Sequence, residues 1–310
     1  MPSGLLERRL IFVTGKGGVG KSTVSLALGI AAARRGLRTI VAEVGGDDRL
    51  ARSAGSGRGA PFEEVEVSPG LFTISISPED AMGEYLRIKG GAFGGALSHS
   101  RLFATFAMAT PGMRELLTVG KVWELSQAQR RTRDAEPYDL VIVDSPATGH
   151  GRGLLRTPRT FSEIAAVGPI AHQAGAIAAT IADRSFTAVV AVATPEEMPV
   201  NETLSLHASL LQDGLDLDAV LVNACYPQRF DLADLERLQK ANRRRASVRA
   251  RAAIRAALSE HERAEVQREQ RARLAHAFDG RLSTLPFVFS PSIGIGELQQ
   301  LADTLEQELR

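Results

Sequence analysis

Short apolar runs alternate with helical patterns along most of this chain of 310 residues. The apolar runs predict strands, because each is short, rich in branched apolar residues and bounded by polar or glycine-rich segments. They occupy residues 10–13, 39–44, 71–76, 138–144, 187–192 and 219–223. Helical patterns lie at about residues 22–35, 151–183, 201–212 and 293–308. This alternation predicts an α/β fold with a mostly parallel, doubly wound sheet between layers of helices.

Two longer stretches depart from the strand-and-helix alternation. Residues 79–133 and 229–279 carry helical patterns with no strand between them, so they predict helical subdomain insertions in a single domain of residues 1–310. Residues 51–70 are rich in Gly, Ser and Ala, and they predict a connecting loop.

Composition narrows the class of protein. Hydrophobic residues make up 44% of the chain and charged residues 24%, which is enough to bury a full core. The net charge of +1 argues against an overall attraction to nucleic acid or acidic lipid. A single cysteine, Cys225, excludes an intrachain disulfide and a metal clamp of paired cysteines within one chain. Residues 1–9 lack an apolar signal core and no run approaches membrane-spanning length, so we expect a cytoplasmic protein.

A glycine-rich loop between the first strand and the first helix carries the strongest chemical signal. The order of strand, glycine loop and helix is what a phosphate cradle requires, since glycines let backbone N–H groups turn towards phosphate oxygens. In this pattern Lys21 reaches the β- and γ-phosphates, Ser22 offers its hydroxyl to Mg²⁺, and Thr23 contacts the α-phosphate. The predicted nucleotide-binding residues of this segment are Gly15, Lys16, Gly17, Gly18, Val19, Gly20, Lys21, Ser22 and Thr23.

A second lysine in the loop points to a narrower group of proteins. The run Lys-Gly-Gly-x-Gly-Lys-Ser-Thr from Lys16 to Thr23 resembles the deviant Walker A loop of the ArsA, MinD, ParA and nitrogenase-iron-protein ATPases. The resemblance implies a P-loop NTPase fold, ATP with Mg²⁺ as cofactors, and a role for Lys16 across a dimer interface, at the partner's ATP. A solvated loop cation is the simpler alternative for Lys16.

The loop after the second strand departs from that family. Relatives of the ArsA branch carry there an aspartate that activates the attacking water, whereas Gly45 occupies the matching position in this chain. Asp47 or Asp48 substitutes after a small loop shift, or Glu43 serves from the strand end; alternatively, Asp47 and Asp48 only cap the next helix.

The strand at residues 138–144 ends in an acid, Asp144, as expected for the second phosphate-side motif of a P-loop ATPase. Asp144 is the candidate for holding Mg²⁺ through a water. The following residues, 145–150, resemble the Asp-x-Ala-Pro-Thr-Gly-His switch of ArsA and the guided-entry targeting ATPases, with Ala and Pro exchanged. His150 has no paired ligands nearby in the sequence, so a switch hydrogen bond is favoured over a metal site.

Two further site residues rest on the resemblance. Asn223 ends a strand where the family places an asparagine that pairs with adenine, and an amide can both donate to and accept from that base. The run 285–287, with Pro286, resembles the family's last strand, whose following loop borders the base. A strand-end cap is the alternative role for Asn223.

Residues 243–273 contain ten arginines against four glutamates. Guided-entry ATPases carry a Cys-x-x-Cys zinc clamp in this region, and its absence here predicts no zinc. The arginines form either a solvated helical hairpin or a basic docking surface for a protein partner or the membrane face. Nucleic acid is an unlikely partner, because no aromatic residues interleave for base stacking.

The combined expectation is an ATPase that couples its nucleotide state to a partner or cargo protein. Its catalytic residues are Lys16, Lys21, Asp144 and an acid at position 47 or 48. The resemblance implies a homodimer, or a heterodimer with a paralogous ATPase like those of actinobacteria. Arsenite transport is not expected, because a metalloid site needs several thiolates. Two alternatives stay open: a regulatory ATP-binding subunit poor in hydrolysis, and a positioning ATPase like ParA or MinD.

Overall fold

The computed structural model describes residues 4–45, 49–55, 62–89, 109–132, 135–164, 169–243, 247–278 and 280–308. Its centre is an eight-stranded sheet with the order β3-β4-β2-β5-β1-β6-β7-β8. The strands are β1 Leu10–Thr14, β2 Thr39–Val44, β3 Val65–Ser68, β4 Leu71–Ile76, β5 Leu140–Asp144, β6 Thr187–Ala193, β7 Ala219–Cys225 and β8 Leu282–Pro286. All neighbouring pairs are parallel except β3 with β4. The predicted α/β class with a mostly parallel sheet is confirmed.

Helices follow most of the strands, as βαβ connections require. Those in the described residues are α1 Lys21–Arg34, α2 Arg49–Ser53, α3 Pro78–Lys89, α4 Met113–Leu125, α5 Thr148–Ile164, α6 Pro169–Ala182, α7 Glu197–Gln212, α8 Leu232–Arg243, α9 Val248–Ala277 and α10 Ile295–Glu308. Gly36 lies just after α1 with φ of +83°, a backbone angle that favours glycine. Within these ranges, none of the helices combines the length and hydropathy needed to cross a lipid bilayer.

The sheet is buried on both faces. One core contains residues of α1 and α10 packed on the sheet, with Leu28 and Leu305 fully buried. The other contains α4, α6 and α7 together with the end of α9. Burial on both sides explains why the central strands are continuous apolar runs rather than alternating ones. The doubly wound arrangement is therefore confirmed.

One part of the sheet differs from the expectation. The predicted loop at residues 51–70 contains the end of α2 and the strand β3, which pairs antiparallel with β4 at the sheet edge. This strand is only four residues long and its register with β4 shifts between Glu66 and Ser68. The sequence Val-Glu-Val-Ser alternates apolar and polar residues, but four residues after a segment rich in Gly, Ser and Ala are too few to indicate a strand by themselves.

The helices α3 and α4 lie in the first predicted insertion, and α8 and α9 lie in the second. The exact bounds of these insertions remain a prediction. The arginine-rich helix α9 carries ion pairs such as Arg229–Glu260 and Arg268–Glu265. Its first turns are exposed, including Arg249, Arg251 and Arg255. These pairs favour the solvated helical hairpin among the alternatives for this segment.

Candidate functional site

The glycine-rich loop of residues 15–20 joins β1 to α1 in the middle of the sheet, between β5 and β6. Two of its glycines are required by their surroundings. Gly15 has φ of +144°, and a Cβ there would lie 2.1 Å from the carbonyl oxygen of Val192. Gly20 has φ of +91°, and a Cβ there would lie 2.4 Å from Nδ2 of Asn223. The loop conformation therefore depends on glycine at both ends.

Lys21 begins α1 and folds back over this loop. Its ammonium donates hydrogen bonds to the carbonyl oxygens of Gly15 at 3.1 Å and Lys16 at 2.9 Å. Burial lowers the pKa of Lys21, and the carboxylates of Asp144 and Glu202 only partly offset this effect. An ammonium that has lost part of its hydration gains more from an incoming phosphate oxygen than an exposed one does.

Ser22 and Asp144 meet where β1 and β5 end. These strands are parallel, and Val13 of β1 lies beside Asp144 of β5. The residues that follow the two strands therefore lie at the same edge of the sheet. The hydroxyl of Ser22 donates to Oδ2 of Asp144 at 2.6 Å, and Asp144 is buried. The sequence predicted these two residues as neighbours at one metal site, and the structure brings them into contact.

The chemistry of this edge fits Mg²⁺ bound beside a phosphate. Mg²⁺ prefers oxygen ligands, keeps several waters and takes few ligands from the protein. The described ranges contain no group of three or more His, Cys, Asp or Glu side chains that would hold a metal by themselves. The hydroxyls of Thr14 and Ser145 lie buried at the same edge, and neither has a hydrogen-bond partner among the described residues. Buried hydroxyls of this kind favour a polar ligand at the loop.

Lys16 leaves the loop in another direction. Its ammonium forms a short ion pair with Oε1 of Glu202, which lies on α7. The other oxygen of Glu202 accepts a hydrogen bond from the hydroxyl of Thr148 at 3.1 Å. Thr148 belongs to the predicted switch and begins α5. Sequence reasoning did not find Glu202, and its only signal is its position on the helix after β6, the strand beside β1.

Comparison with known proteins decides the family. A sequence model described as "Anion-transporting ATPase" (ArsA type) matches residues 8–167 and 162–250. The chain belongs to the family of anion-transporting ATPases. It is 30% identical to "ATPase BagA" of Mycobacterium tuberculosis over 257 residues, which cover 80% of this chain and 74% of that protein.

Two further relatives share a lower identity with this chain. "ATPase GET3C" of Arabidopsis thaliana is 25% identical over 272 residues, covering 72% of this chain and 68% of that protein. The "Arsenical pump-driving ATPase" of Escherichia coli is 25% identical over 239 residues, covering 70% of this chain and 40% of that protein. Together with the family match, these relatives establish that the chain is an ATPase of the ArsA type, a class that uses ATP and Mg²⁺.

The loop after β2 is described in part. Glu43 is buried, lies in register with Asp144, and accepts a hydrogen bond from the backbone of Leu50 through Oε2. Gly45 is exposed and has φ of +132°. Asp47 and Asp48 lie outside the described residues, so their predicted catalytic role stays a prediction.

Asn223 contacts the phosphate loop directly. Its Nδ2 donates to the carbonyl oxygen of Val19 at 2.9 Å. The β7 and β8 strands shift register next to Asn223, and Ala224 has φ of +59°. Asn223 therefore lies at an irregular point of the sheet, the kind of position that is frequent next to functional sites. Its predicted role in reading adenine is not tested by this contact.

Pro286 ends β8 opposite Cys225. Two aromatic residues follow these strands, and the rings of Tyr226 and Phe287 stack with centroids 4.7 Å apart. Both line a cleft of about 620 Å³ that also reaches the start of α7 and the middle of α9. The side chain of Gln267 on α9 bridges two backbone groups there, accepting from the Tyr226 N–H and donating to the Ala224 carbonyl. The strand ends predicted to border the base are thus fixed to α9.

Proposed function

We propose that this ATPase is a dimeric switch that closes over ATP and Mg²⁺ and couples its nucleotide state to a partner or cargo protein. The observation that carries the proposal is that the two loop lysines make different contacts. Lys21 folds over its own phosphate loop, whereas Lys16 extends away from the loop towards Glu202. A lysine whose ammonium does not contact its own loop can contact the nucleotide of a second subunit once it leaves Glu202.

Each remaining site residue has a role in this proposal. ATP and Mg²⁺ supply the phosphoryl group and neutralise its charge when bound. Lys21 and the loop N–H groups hold the phosphates, Ser22 and Asp144 hold the metal, the latter through a water, and Asn223 with Pro286 borders the base. The loop after β2, with Asp47, Asp48 or Glu43, orients the attacking water.

An apolar pocket supports coupling to another protein. It lies between α3, α4 and α6, has a volume of about 130 Å³, and is bordered by Met82, Met113 and Ile177. At its rim Ile88 and Ile170 are 42% and 44% exposed. Exposed apolar side chains around a pocket are typical of a surface that receives a partner. Arsenite is not proposed as cargo, because a metalloid site needs several thiolates and Cys225 is the only cysteine in the sequence.

We expect the purified chain to hydrolyse ATP and to double its mass when ATP and Mg²⁺ are added. The measurement is steady-state phosphate release combined with light scattering. Lys16→Ala is the informative variant: it should keep ATP binding through Lys21 but lose the ATP-dependent doubling of mass. Turnover by a chain that stays monomeric with ATP would contradict the dimeric switch, and so would normal dimerisation of Lys16→Ala.

Gly45 favours one alternative, a regulatory ATP-binding subunit that hydrolyses poorly. Under the main proposal, Gly45→Asp should not raise kcat, and it should lower the free energy of unfolding by roughly 1 kcal/mol, because φ of +132° strains any residue with a Cβ. Apart from its neighbours in the chain, no described residue has an atom within 4 Å of the position that the Cβ of residue 45 would take. Phosphate release and urea unfolding measure the two effects.

A control for this variant is Gly36→Asp. Gly36 also has a positive φ and open space around its Cβ position, and it lies at the far end of α1 from the loop. It should show a similar loss of stability with normal turnover. A clear rise in turnover for Gly45→Asp alone would favour the regulatory subunit, whose missing acid the substitution restores.

A further inference from the structure

Both oxygens of the Glu202 carboxylate are used by groups that belong to the nucleotide site. Lys16 donates to one oxygen, and Thr148 donates to the other. The hydrogen bond from Lys16, more than any other effect, holds the pKa of Glu202 below its ordinary value. The side chains of Lys16 and Glu202 are only 31% and 34% exposed. A single carboxylate therefore joins the phosphate loop, the switch and α7.

The switch helix α5 is fixed to α7 at a second point. Arg152, one turn after Thr148, donates to Oδ2 of Asp213 just past the end of α7 at 2.9 Å. The switch also lies against the phosphate loop, since a Cβ at Gly17 would be 3.9 Å from the Cβ of Ala147. Any movement of the first turn of α5 must therefore break or carry along its contact with Glu202.

We propose that Glu202 is a positioning residue that holds Lys16 and Thr148 in the nucleotide-free chain, in place of the anionic oxygens that ATP brings. This inference rests on the proposed dimeric switch, and it adds the residue that controls the release of Lys16. The ammonium of Lys16 and the hydroxyl of Thr148 are donors, and both already have an anionic acceptor before ATP arrives. Lys16 can reach a second subunit only after it leaves Glu202.

The negative charge of Glu202 also lies close enough to act on Lys21, where it opposes the effect of burial on the lysine pKa. Phosphate groups that enter the loop compete with this charge mainly for Lys16, the cation that Glu202 contacts directly. Removing the charge should therefore make ATP binding easier, although it removes a favourable ion pair from the protein. A purely structural role would have the opposite effect, since a loosened site binds less tightly.

The test is a titration of the whole chain with a fluorescent ATP analogue and Mg²⁺. Glu202→Gln should bind the analogue about threefold to fivefold more tightly than the natural chain, the upper part of the range expected for a partly exposed ion pair. In a Lys16→Ala background the same substitution should change the affinity by less than about twofold, because Glu202 then has no lysine to hold. Glu163→Gln, which removes one charge from an exposed pair on α5, is the matched control and should have no effect.

The outcomes separate the competing explanations. Unchanged or weaker binding by Glu202→Gln would overturn the role of Glu202, and so would an equal gain in the Lys16→Ala background, which would indicate general charge repulsion. If Glu202→Gln does not fold by circular dichroism, Glu202→Ala removes the same charge from α7 and should also tighten binding; no gain there would overturn the proposal. A natural chain that binds no ATP contradicts the proposed function itself, which is a different result.

Discussion

Lys21→Ala should reduce kcat for ATP hydrolysis by a factor of about 100 or more, the loss expected when a preorganised charge is removed from a phosphoryl-transfer site. The ammonium of Lys21 is half-buried, it is held by two carbonyl oxygens of its own loop, and it begins the helix that follows the loop. Lys16, the other lysine of the loop, is paired with Glu202 instead. Steady-state phosphate release at saturating ATP and Mg²⁺ measures the effect.

The matched control for Lys21→Ala is Lys240→Ala. Lys240 lies on α8, its side chain is 74% exposed, and its surface pair with Glu236 contributes little. This variant should hydrolyse ATP at the rate of the natural chain and unfold at the same denaturant concentration. Residual turnover in Lys21→Ala equal to that of the control would mean that the measured activity belongs to a contaminant or that another group holds the phosphates.

Most of the sheet was predictable because the short apolar runs and the alternation of strands with helices indicate the same parallel fold. The strands at residues 39–44 and 71–76 have the predicted bounds, and α1 was predicted within one residue at each end, whereas the end of α2 lies in a predicted loop. The edge strand β3 was not predicted, since its apolar and polar residues alternate over only four positions, which is the lower limit for a strand signal. Helix starts were also less certain: α5 begins at Thr148, inside the predicted switch, and α7 begins at Glu197.

In the candidate site, too, some contacts were predictable from the sequence and others were not. Ser22 and Asp144 were predictable as neighbours, because carboxyl ends of adjacent parallel strands share one edge of the sheet. Glu202 was not, because its contact with Lys16 joins residues 186 positions apart and depends on how α7 packs. The Asn223 contact with Val19 likewise depends on a register shift between β7 and β8. Side-chain contacts between helices and loops are set by packing rather than by spacing in the sequence.

A buried charge network should have the largest effect on stability. Arg130 is 1% exposed and forms ion pairs with Glu64 at 2.6 Å and Glu124 at 2.8 Å. The hydroxyl of Tyr138, just before β5, donates to the same Glu64 carboxylate at 2.7 Å. Glu124 lies on α4, so the network ties this helix to the sheet edge near β3. Removing Arg130 leaves two carboxylates near the core without their main partner.

Arg130→Met keeps much of the apolar stem and removes the charge. We expect it to lower the free energy of unfolding by roughly 3 kcal/mol, the usual cost of breaking one side of a buried ion pair. Urea denaturation followed by circular dichroism measures the change. Arg237→Met is the matched control, because the Arg237 side chain is 80% exposed in its pair with Asp234 and should contribute less than about 0.5 kcal/mol. Equal effects of the two substitutions would contradict the network's role.

The same network should make the free energy of unfolding depend on pH. The direction of this dependence follows from the lowered pKa values of Glu64 and Glu124. Burial alone would raise the pKa values of Glu64 and Glu124, but hydrogen bonds from Arg130, with Tyr138 for Glu64 and Lys121 for Glu124, hold both below the ordinary value of 4.5. A carboxylate with a lowered pKa in the folded state stabilises the fold above its unfolded pKa and loses this contribution as the pH falls. The stability advantage of the natural chain over Arg130→Met should therefore be full at about pH 7 and shrink below about pH 4.5. Urea denaturation of both chains at about pH 7 and about pH 3.5 measures it, and a constant advantage would mean that Arg130 acts through packing rather than through its charge.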